Sequence, residues 1–590
     1  MTSPKMLPGT GTLRRHLCNI VFCMCCCALS LWSVRAVLNQ PVSAIPTSIA
    51  GSETVPLFNA WTIVWNALQF RTGFAHYWDA PIFFPQTGSF AFSEPQPATL
   101  LMAPLILVCG SPALAANAWL ILSLTLNGLL TSRLLHQLNV SRIARHVTGT
   151  AVVLLPMVHD QLDVLQLVPL WPTLWTWSAL IGLSQTIRLQ PFSGTTSGRA
   201  LRQGLELGVA IFFAAACSIH HFLFLSLLLA CTGWILIPLN LWRRWLPGAL
   251  VALSMALILL MPILLPMSSR LRGRQFERAD TAITQLSARA EDLLKVSPGA
   301  LVRTPGVSQR GAWFLCPGWV RLIIAGIAVG SLRHRTPNLS RRHIFFLIAL
   351  TGCAAFWSMG TNLLFLGWRP WTTLSSLIPG FSSIRSVFRF GYFFQLALLL
   401  LSGIGLDQLV RQLRKSTGPP ALRYFMGMVL GTVMIFEVPP EKVRVVQVPS
   451  ADERLPWLDF LQTHRSDGEG VLLLPYPATS AVDQYAATTR WMIQCTLRGI
   501  PIVNGYSGFF PESHFYRQQQ LATQTLSTEF LQGLQNDRVA FVVIFSTPPS
   551  LRHNNIPDIQ PPDGRLKLVW QAPDQPTIFQ LQTDSPSATR

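Results

Sequence analysis

Residues 389–415, RFGYFFQLALLLLSGIGLDQLVRQLRK, decide the fold. From 389 to 410 the run is predominantly apolar over the ~20 residues that a helix needs to cross the ~30 Å hydrocarbon core of a bilayer. It ends on Arg411, Arg414 and Lys415, the basic stop expected where a span returns to the cytoplasmic side. Working outward, similar runs lie near 16–37, 111–132, 146–158, 166–187, 205–219, 222–241, 246–266, 317–331, 343–359 and 421–438. Eleven spans are therefore expected. The apolar piece 98–109 is too short to cross and reads as re-entrant or interfacial.

The loops orient these spans. With the N-terminus inside, the inside loops carry Arg133, Arg142 and Arg145, then Arg188, Arg199 and Arg202, then Arg243 and Arg244. Arg333, Arg335, Arg341 and Arg342 come next, and Arg411, Arg414, Lys415 and Arg423 come last. An odd number of crossings puts the C-terminal segment outside. Lys5, Arg14 and Arg15 precede the first run, which has no clean cleavage site and reads as a retained first helix.

Composition agrees. Half of the 590 residues are apolar and 12% are charged, against about 25% in a typical soluble domain. The net charge of +19 is not a nucleic-acid footprint. From Glu441 onward 12 basic residues face 14 acidic ones, and the excess sits in the short loops between apolar runs. The eleven cysteines have no zinc or disulfide-framework spacing, and Cys23–Cys27 lie inside an apolar run. Walker and dinucleotide fingerprints are absent, and Asn504-Gly505-Tyr506-Ser507-Gly508 is one residue short of a nucleophile elbow.

The expected fold class is thus an α-helical polytopic membrane protein with a small C-terminal α/β domain. A transmembrane domain covers 1–438, its first outside loop being 38–97, and an extracytoplasmic domain covers 439–590. In the loop, Leu57, Trp61, Val64, Trp65 and Leu68 recur at helical spacing and predict an interfacial helix with tryptophans at headgroup depth. A helical pattern also runs from Phe276 to Val296. After 439, Val471–Pro475 and Val539–Ile544 read as buried strands, 566–571 and 577–581 as further strands, and 454–464 and 513–534 as helices.

Three sets of polar residues are candidates for chemistry. Glu53, Asp79 and Glu94 lie in the first outside loop among aromatics, where a carboxylate of raised pKa can act as a general base or bind a divalent cation. The plain alternative is that they cap helices or pair with loop arginines. His159, Asp160 and Asp163 form a second set; three residues apart, the two acids share a helical face suited to a metal or substrate hydroxyls, or end a solvated helix. Arg385 and Arg389 stand at the outside mouth of the tenth span, where they can grip a lipid phosphate or snorkel to headgroups.

The layout resembles the glycosyltransferase C-type (GT-C) superfamily of membrane transferases that use polyprenyl-phosphate sugars. The carrying stretches are Asn59-Ala60-Trp61 with Trp65, Trp78–Pro85, Phe90–Glu94, Ile378–Phe381 with Ile384, Arg385, Arg389 and Phe390, and Val503–Pro511. They look like an uncharacterised bacterial branch of that architecture, which would place the chain in the inner membrane. The resemblance implies a base in the first outside loop, with Glu53 nearest the family position. The family more often carries Asp there, so Asp79 or Glu94 are alternatives. It also implies a polyprenyl-phosphate-linked sugar as donor and an extracytoplasmic glycan or protein as acceptor. A lipid-linked glycan handler without catalysis, or a transporter, is the remaining class. A transporter places polar residues mid-span in related halves, and no such repeat is evident.

Overall fold

The structure is a computed structural model, and it describes residues 10–48, 51–189, 194–237, 239–271, 280–303, 313–333, 340–415, 419–522, 526–545 and 565–582. Lys5, Arg335 and the start of the expected helix at 276–279 lie outside the described residues.

Each of the eleven apolar runs falls on a helix: Thr10–Ser33, Pro112–Gln137, Arg142–Val153, Trp171–Leu189, Gly194–Cys217, Ile219–Thr232, Trp242–Leu271, Trp319–Gly330, Arg341–Ser358, Gly391–Lys415 and Pro420–Phe436. Five described segments are by themselves long and apolar enough to cross a membrane: His16–Ser33, Pro112–Gln137, Gly198–Cys217, Trp242–Leu271 and Val387–Lys415. The chain is an integral membrane protein. Other helices are shorter. Arg142–Val153 has 12 residues, about 18 Å at 1.5 Å per residue. Pro156, which cannot donate the hydrogen bond that would carry the helix on, opens a separate turn, Pro156–Asp160.

The chain forms two compact units. The helical unit comprises Met1–Leu38, Trp119–Ile263 and Gln275–Val443; the mixed unit comprises Asn39–Ala118, Leu264–Arg274 and Arg444–Arg590.

In the helical unit, Gly391–Lys415 is the central helix and is buried almost throughout from Gly391 to Asp407. Small residues let its neighbours close in. A Cβ on Gly405 would strike the Ile324 carbonyl, and one on Gly403 would meet Thr148. The same device joins Gly194–Cys217 to Trp242–Leu271, where Gly204 abuts Gly248 and Gly208 abuts Ala252. Small residues four apart are the usual way for helices to approach in lipid, where leucines gain nothing by clustering. Much of Trp242–Leu271 is apolar and exposed, including Leu250, Leu253, Leu257 and Ile258, as a lipid-facing surface should be.

A buried ion pair pins one end of this bundle. Arg321 is fully buried and donates to the carbonyls of Pro317, Met434 and Ile435 at 2.8–2.9 Å. Glu437, 1% exposed, accepts from the Val320 and Arg321 amides at 2.6 and 3.0 Å. It therefore caps the N-terminus of Trp319–Gly330, where amides lack intrahelical acceptors and a negative charge is favoured.

The mixed unit contains two sheets. Strand β1 (Ala44–Thr47) pairs antiparallel with β2 (Arg444–Gln447), so the first loop is knitted to the C-terminal segment. The second sheet has order β3-β4-β6-β5, with β3 at Gly470–Leu474, β4 at Val539–Ile544, β5 at Leu566–Trp570 and β6 at Thr577–Leu581. Strands β3 and β4 run parallel and the others antiparallel. A parallel pair requires a crossover, and helices Ala486–Leu497, Glu512–Leu521 and Thr528–Asn536 lie in it. The expected α/β character is present.

Helix Thr54–Arg71 departs from expectation. It is not laid on a headgroup layer by one face. Leu57, Trp61 and Val64 are buried, and so are Asn59, Thr62 and Asn66 on its other sides. It packs on Ala486–Leu497, where the Trp61 indole donates to Thr496 Oγ1 at 2.9 Å. Asn66 Nδ2 donates to Pro95 O and Thr99 Oγ1. The short helix Ala103–Cys109 of the same unit leaves Leu107 39% and Val108 83% exposed.

Candidate functional site

The loop acids have separate surroundings within the mixed unit. Glu53 precedes the first turn of Thr54–Arg71, is 41% exposed in its side chain, and meets Arg490 Nη2 at 3.4 Å. Asp79 is more tightly held: one carboxylate oxygen accepts from Arg270 Nη1 at 2.6 Å and from the Gly88 amide at 2.8 Å. Glu94 is 8% exposed.

The loop motifs around these acids form a structural joint. The Phe83 and Phe84 amides donate to the carbonyls of Asn504 and Ile502, and the Ile502 amide donates back to Pro81. Gly505 lies against the Phe83 ring so closely that a Cβ would collide with it. The Asn504 side chain accepts from the Leu473 amide and donates to the Leu473 carbonyl, each at 2.8 Å, extending β3. Thus Trp78–Pro85 and Val503–Pro511 are halves of one packed element, which accounts for their unusual residue choice.

The second and third sets meet in the helical unit. The short helix Pro156–Asp160 is docked on the start of the central helix, where Gln395 Oε1 accepts from the Met157 amide at 3.1 Å. Gln395 Nε2 reaches the Phe314 and Leu315 carbonyls. This docking puts Asp160 and Asp163 close enough to Tyr392 for their charges to act on its phenol, together with Arg389. Arg389 ends the 3-10 turn Val387–Phe390, and Arg385 is exposed just before it. The Ile378–Phe390 motif supplies the support: Phe381, Ile384 and Phe390 are buried, and Phe390 stacks on Phe224 at 3.9 Å between centroids.

The electrostatics of this cluster are distinctive. Burial and the nearby Glu441 carboxylate push Asp160 up from its ordinary 3.8 to about 7, against a long hydrogen bond of 3.5 Å from Ser297 Oγ. Burial pushes the His159 imidazole down to about 4, opposed by its bond to the Val153 carbonyl. A carbonyl only accepts, so Nε2 carries the proton donated to Val153 at 3.0 Å and Nδ1 is a bare acceptor. Buried His159 Nδ1 and the Tyr392 hydroxyl both lack a hydrogen-bond partner among the described residues. Unsatisfied buried polar atoms are rare and call for a ligand or water. The cluster thus offers a phenolic donor, an imidazole acceptor, a carboxyl titrating near neutrality and a cationic guanidinium.

Tyr392, Gln395, Ser297 and Glu441 are members that the sequence reading missed. The one available signal was a tyrosine within an apolar run, whose hydroxyl needs a partner when buried. Among the described residues, no group of three or more His, Cys, Asp or Glu side chains is placed to hold a metal ion.

Fold and cluster together define a polytopic helical membrane protein with a mixed α/β unit. No protein-family model matches the chain, and no curated protein matches it in sequence. Solved structures are similar to it. One is the archaeal oligosaccharyltransferase AglB from Archaeoglobus fulgidus, in complex with an inhibitory peptide and a dolichol-phosphate. It has a TM-score of 0.44 and 10% identity, covering 89% of this chain and 69% of that one. Another is ArnT from Cupriavidus metallidurans in the apo state, with a TM-score of 0.46 and 12% identity, covering 97% of this chain and 98% of that one.

Proposed function

We propose that this chain is a membrane glycosyltransferase that moves a sugar from a polyprenyl-phosphate carrier to an extracytoplasmic acceptor, in the manner of the GT-C superfamily it resembles. The observation that carries the reading is that His159 Nδ1 and the Tyr392 hydroxyl are buried without a hydrogen-bond partner among the described residues, where Pro156–Asp160 docks on the central helix. A base deprotonates an acceptor hydroxyl, whose oxygen attacks the anomeric carbon as the bond to the lipid phosphate breaks. An acid titrating near 7 is well matched to that proton transfer. Arg389, with Arg385, neutralises charge developing on the departing phosphate. Tyr392 and His159 hold sugar hydroxyls. Glu53 is the base that the family position implies, with Asp79 and Glu94 as its alternatives; Asp160 is the base that its pKa favours. The proposed orientation keeps the N-terminus cytoplasmic and the mixed unit outside, on the basic-loop pattern.

The test is transfer from a labelled prenyl-phosphate sugar panel by the purified chain. Glu53→Gln, Asp79→Asn, Glu94→Gln and Asp160→Asn are compared singly, with Arg389→Met alongside. One acid should lose at least 100-fold in turnover, and Arg389→Met should weaken carrier use. Activity untouched by all five substitutions would remove the site assignment. Carrier binding without turnover would replace the enzyme with a lipid-linked glycan handler.

A further inference from the structure

A second polar site lies at the end of the helical unit where the arginines collect. A cavity of about 320 Å³ is lined there by Asn139, Ser184, Gln185, Arg188, Arg342 and His343, with Leu138, Leu236 and Ser340 completing it. Four helix ends build it: Pro112–Gln137 stops just before Asn139, Trp171–Leu189 brings Ser184 to Arg188, Ile219–Thr232 leads to Leu236, and Arg341–Ser358 starts beside Arg342. A second cavity of about 590 Å³ shares Arg342 and is otherwise mostly apolar, lined by Trp234, Ile235, Ile237, Phe345, Ile348 and Ala349 with Asn240. Both volumes fall in the ~300–1,000 Å³ range of small-molecule sites.

Among the described residues neither lining contains a carboxylate to compensate the two guanidinium charges. Arg188 spends one nitrogen on the Leu236 carbonyl at 3.2 Å, which Ser184 Oγ also reaches at 2.6 Å. Its buried Nε has no partner among the described residues. Arg342 is exposed in the first turn of an 18-residue helix, where the helix dipole adds to its charge. The combination asks for a ligand that is anionic and hydrogen-bonding at one end and apolar at the other.

We propose that these adjoining cavities bind an anionic membrane phospholipid, with the phosphate held between Arg188 and Arg342 and an acyl chain along Trp234, Ile237, Phe345 and Ile348. Guanidinium and phosphate pair bidentately, and basic pockets between spans on the cytoplasmic side suit anionic headgroups. The site is built from residues distinct from the Asp160 cluster. It requires neither transfer activity nor the donor assignment.

The full chain, delipidated in detergent, is titrated with phosphatidylglycerol and with phosphatidylcholine, and retained lipid is counted by native mass spectrometry. Wild type should hold phosphatidylglycerol at least ten-fold better than phosphatidylcholine. Arg188→Gln/Arg342→Gln should cut phosphatidylglycerol at least ten-fold and leave phosphatidylcholine unchanged; Arg342→Gln alone, at an exposed position, gives the same direction if the double variant does not fold. Ala349→Trp, which fills the apolar cavity, should cut phosphatidylglycerol too. Equal retention of the two lipids by wild type, or undiminished phosphatidylglycerol in the arginine variants, overturns the proposal. So does displacement by millimolar inorganic phosphate with Ala349→Trp silent, since the site would then take free phosphate.

Discussion

Replacing Asp160 with asparagine should alter stability in a way that depends on pH. In the folded chain the carboxyl titrates near 7, against an ordinary value of 3.8. Between those values the native state keeps a proton that the unfolded chain has lost. Stability therefore falls as pH rises through this window and levels off above it. Three pKa units at 1.36 kcal/mol each set an upper figure of about 4 kcal/mol. Asp160 is only half-buried, and solvent screening trims this to roughly 2–4 kcal/mol. An asparagine side chain is uncharged throughout, so Asp160→Asn lacks this slope. His159 works in the opposite sense. Its imidazole is held down to about 4, so its contribution is recovered as pH rises towards 6.5, equally in both proteins, and cancels in the difference. The assay is thermal unfolding of wild type and Asp160→Asn in detergent from pH 4 to 7.5. Relative to the variant, wild type should lose about 2–3 °C, at roughly 0.8 °C per kcal/mol for a chain of this size. A wild-type-minus-variant difference that stays flat over the window would refute the raised pKa and, with it, the case for Asp160 as the base.

Other expectations follow from named contacts. Arg321→Ala leaves Glu437 buried without its guanidinium, which should cost about 3–5 kcal/mol and show as a large drop in unfolding temperature. Gly318→Ala should also destabilise, because its Cβ would overlap the Glu437 carboxylate at a φ of +134° that favours glycine. Gly204→Leu or Gly208→Leu should separate Gly194–Cys217 from Trp242–Leu271, read as increased labelling of cysteines placed along that seam. Asp79→Asn should loosen the Arg270 and Gly88 contacts, detected as faster proteolysis or amide exchange over 79–88; an effect on transfer without that change would instead mark Asp79 as a chemical group.

The elements that were legible in sequence are those in which a run carries its own reason. The eleven apolar stretches each became a helix, because a span is apolar whether it faces lipid or protein, and Val539–Ile544 became a central strand, because burial on both faces leaves a continuous apolar signature. Thr54–Arg71 shows where that logic stops. The spacing of Leu57, Trp61 and Leu68 matches an interfacial helix, but the other sides are also covered, with Ala486–Leu497 packed against it more than 400 residues away in sequence. The buried polar faces at Asn59 and Asn66 look solvent-exposed until that partner is known. The candidate site divides similarly. Asp160, Asp163 and Arg389 stood out as charges beside apolar runs, whereas Tyr392 and Gln395 acquire meaning only once Pro156–Asp160 docks on the central helix. Glycine pairing across helices was equally hidden, since which Gly meets which backbone depends on helix rotation.

The β1–β2 ladder couples Ala44–Thr47 to Arg444–Gln447, and Thr54 Oγ1 donates to the Val482 carbonyl beyond it. Pairing strands 400 residues apart carries a loop-closure cost that grows only slowly with length, yet it imposes an order of events. A chain made from its N-terminus must deliver every intervening segment before β1 can find a neighbour. Until then β1 is an open edge, able to recruit a stray strand. The ladder can therefore close only after residues 444–447 have been made.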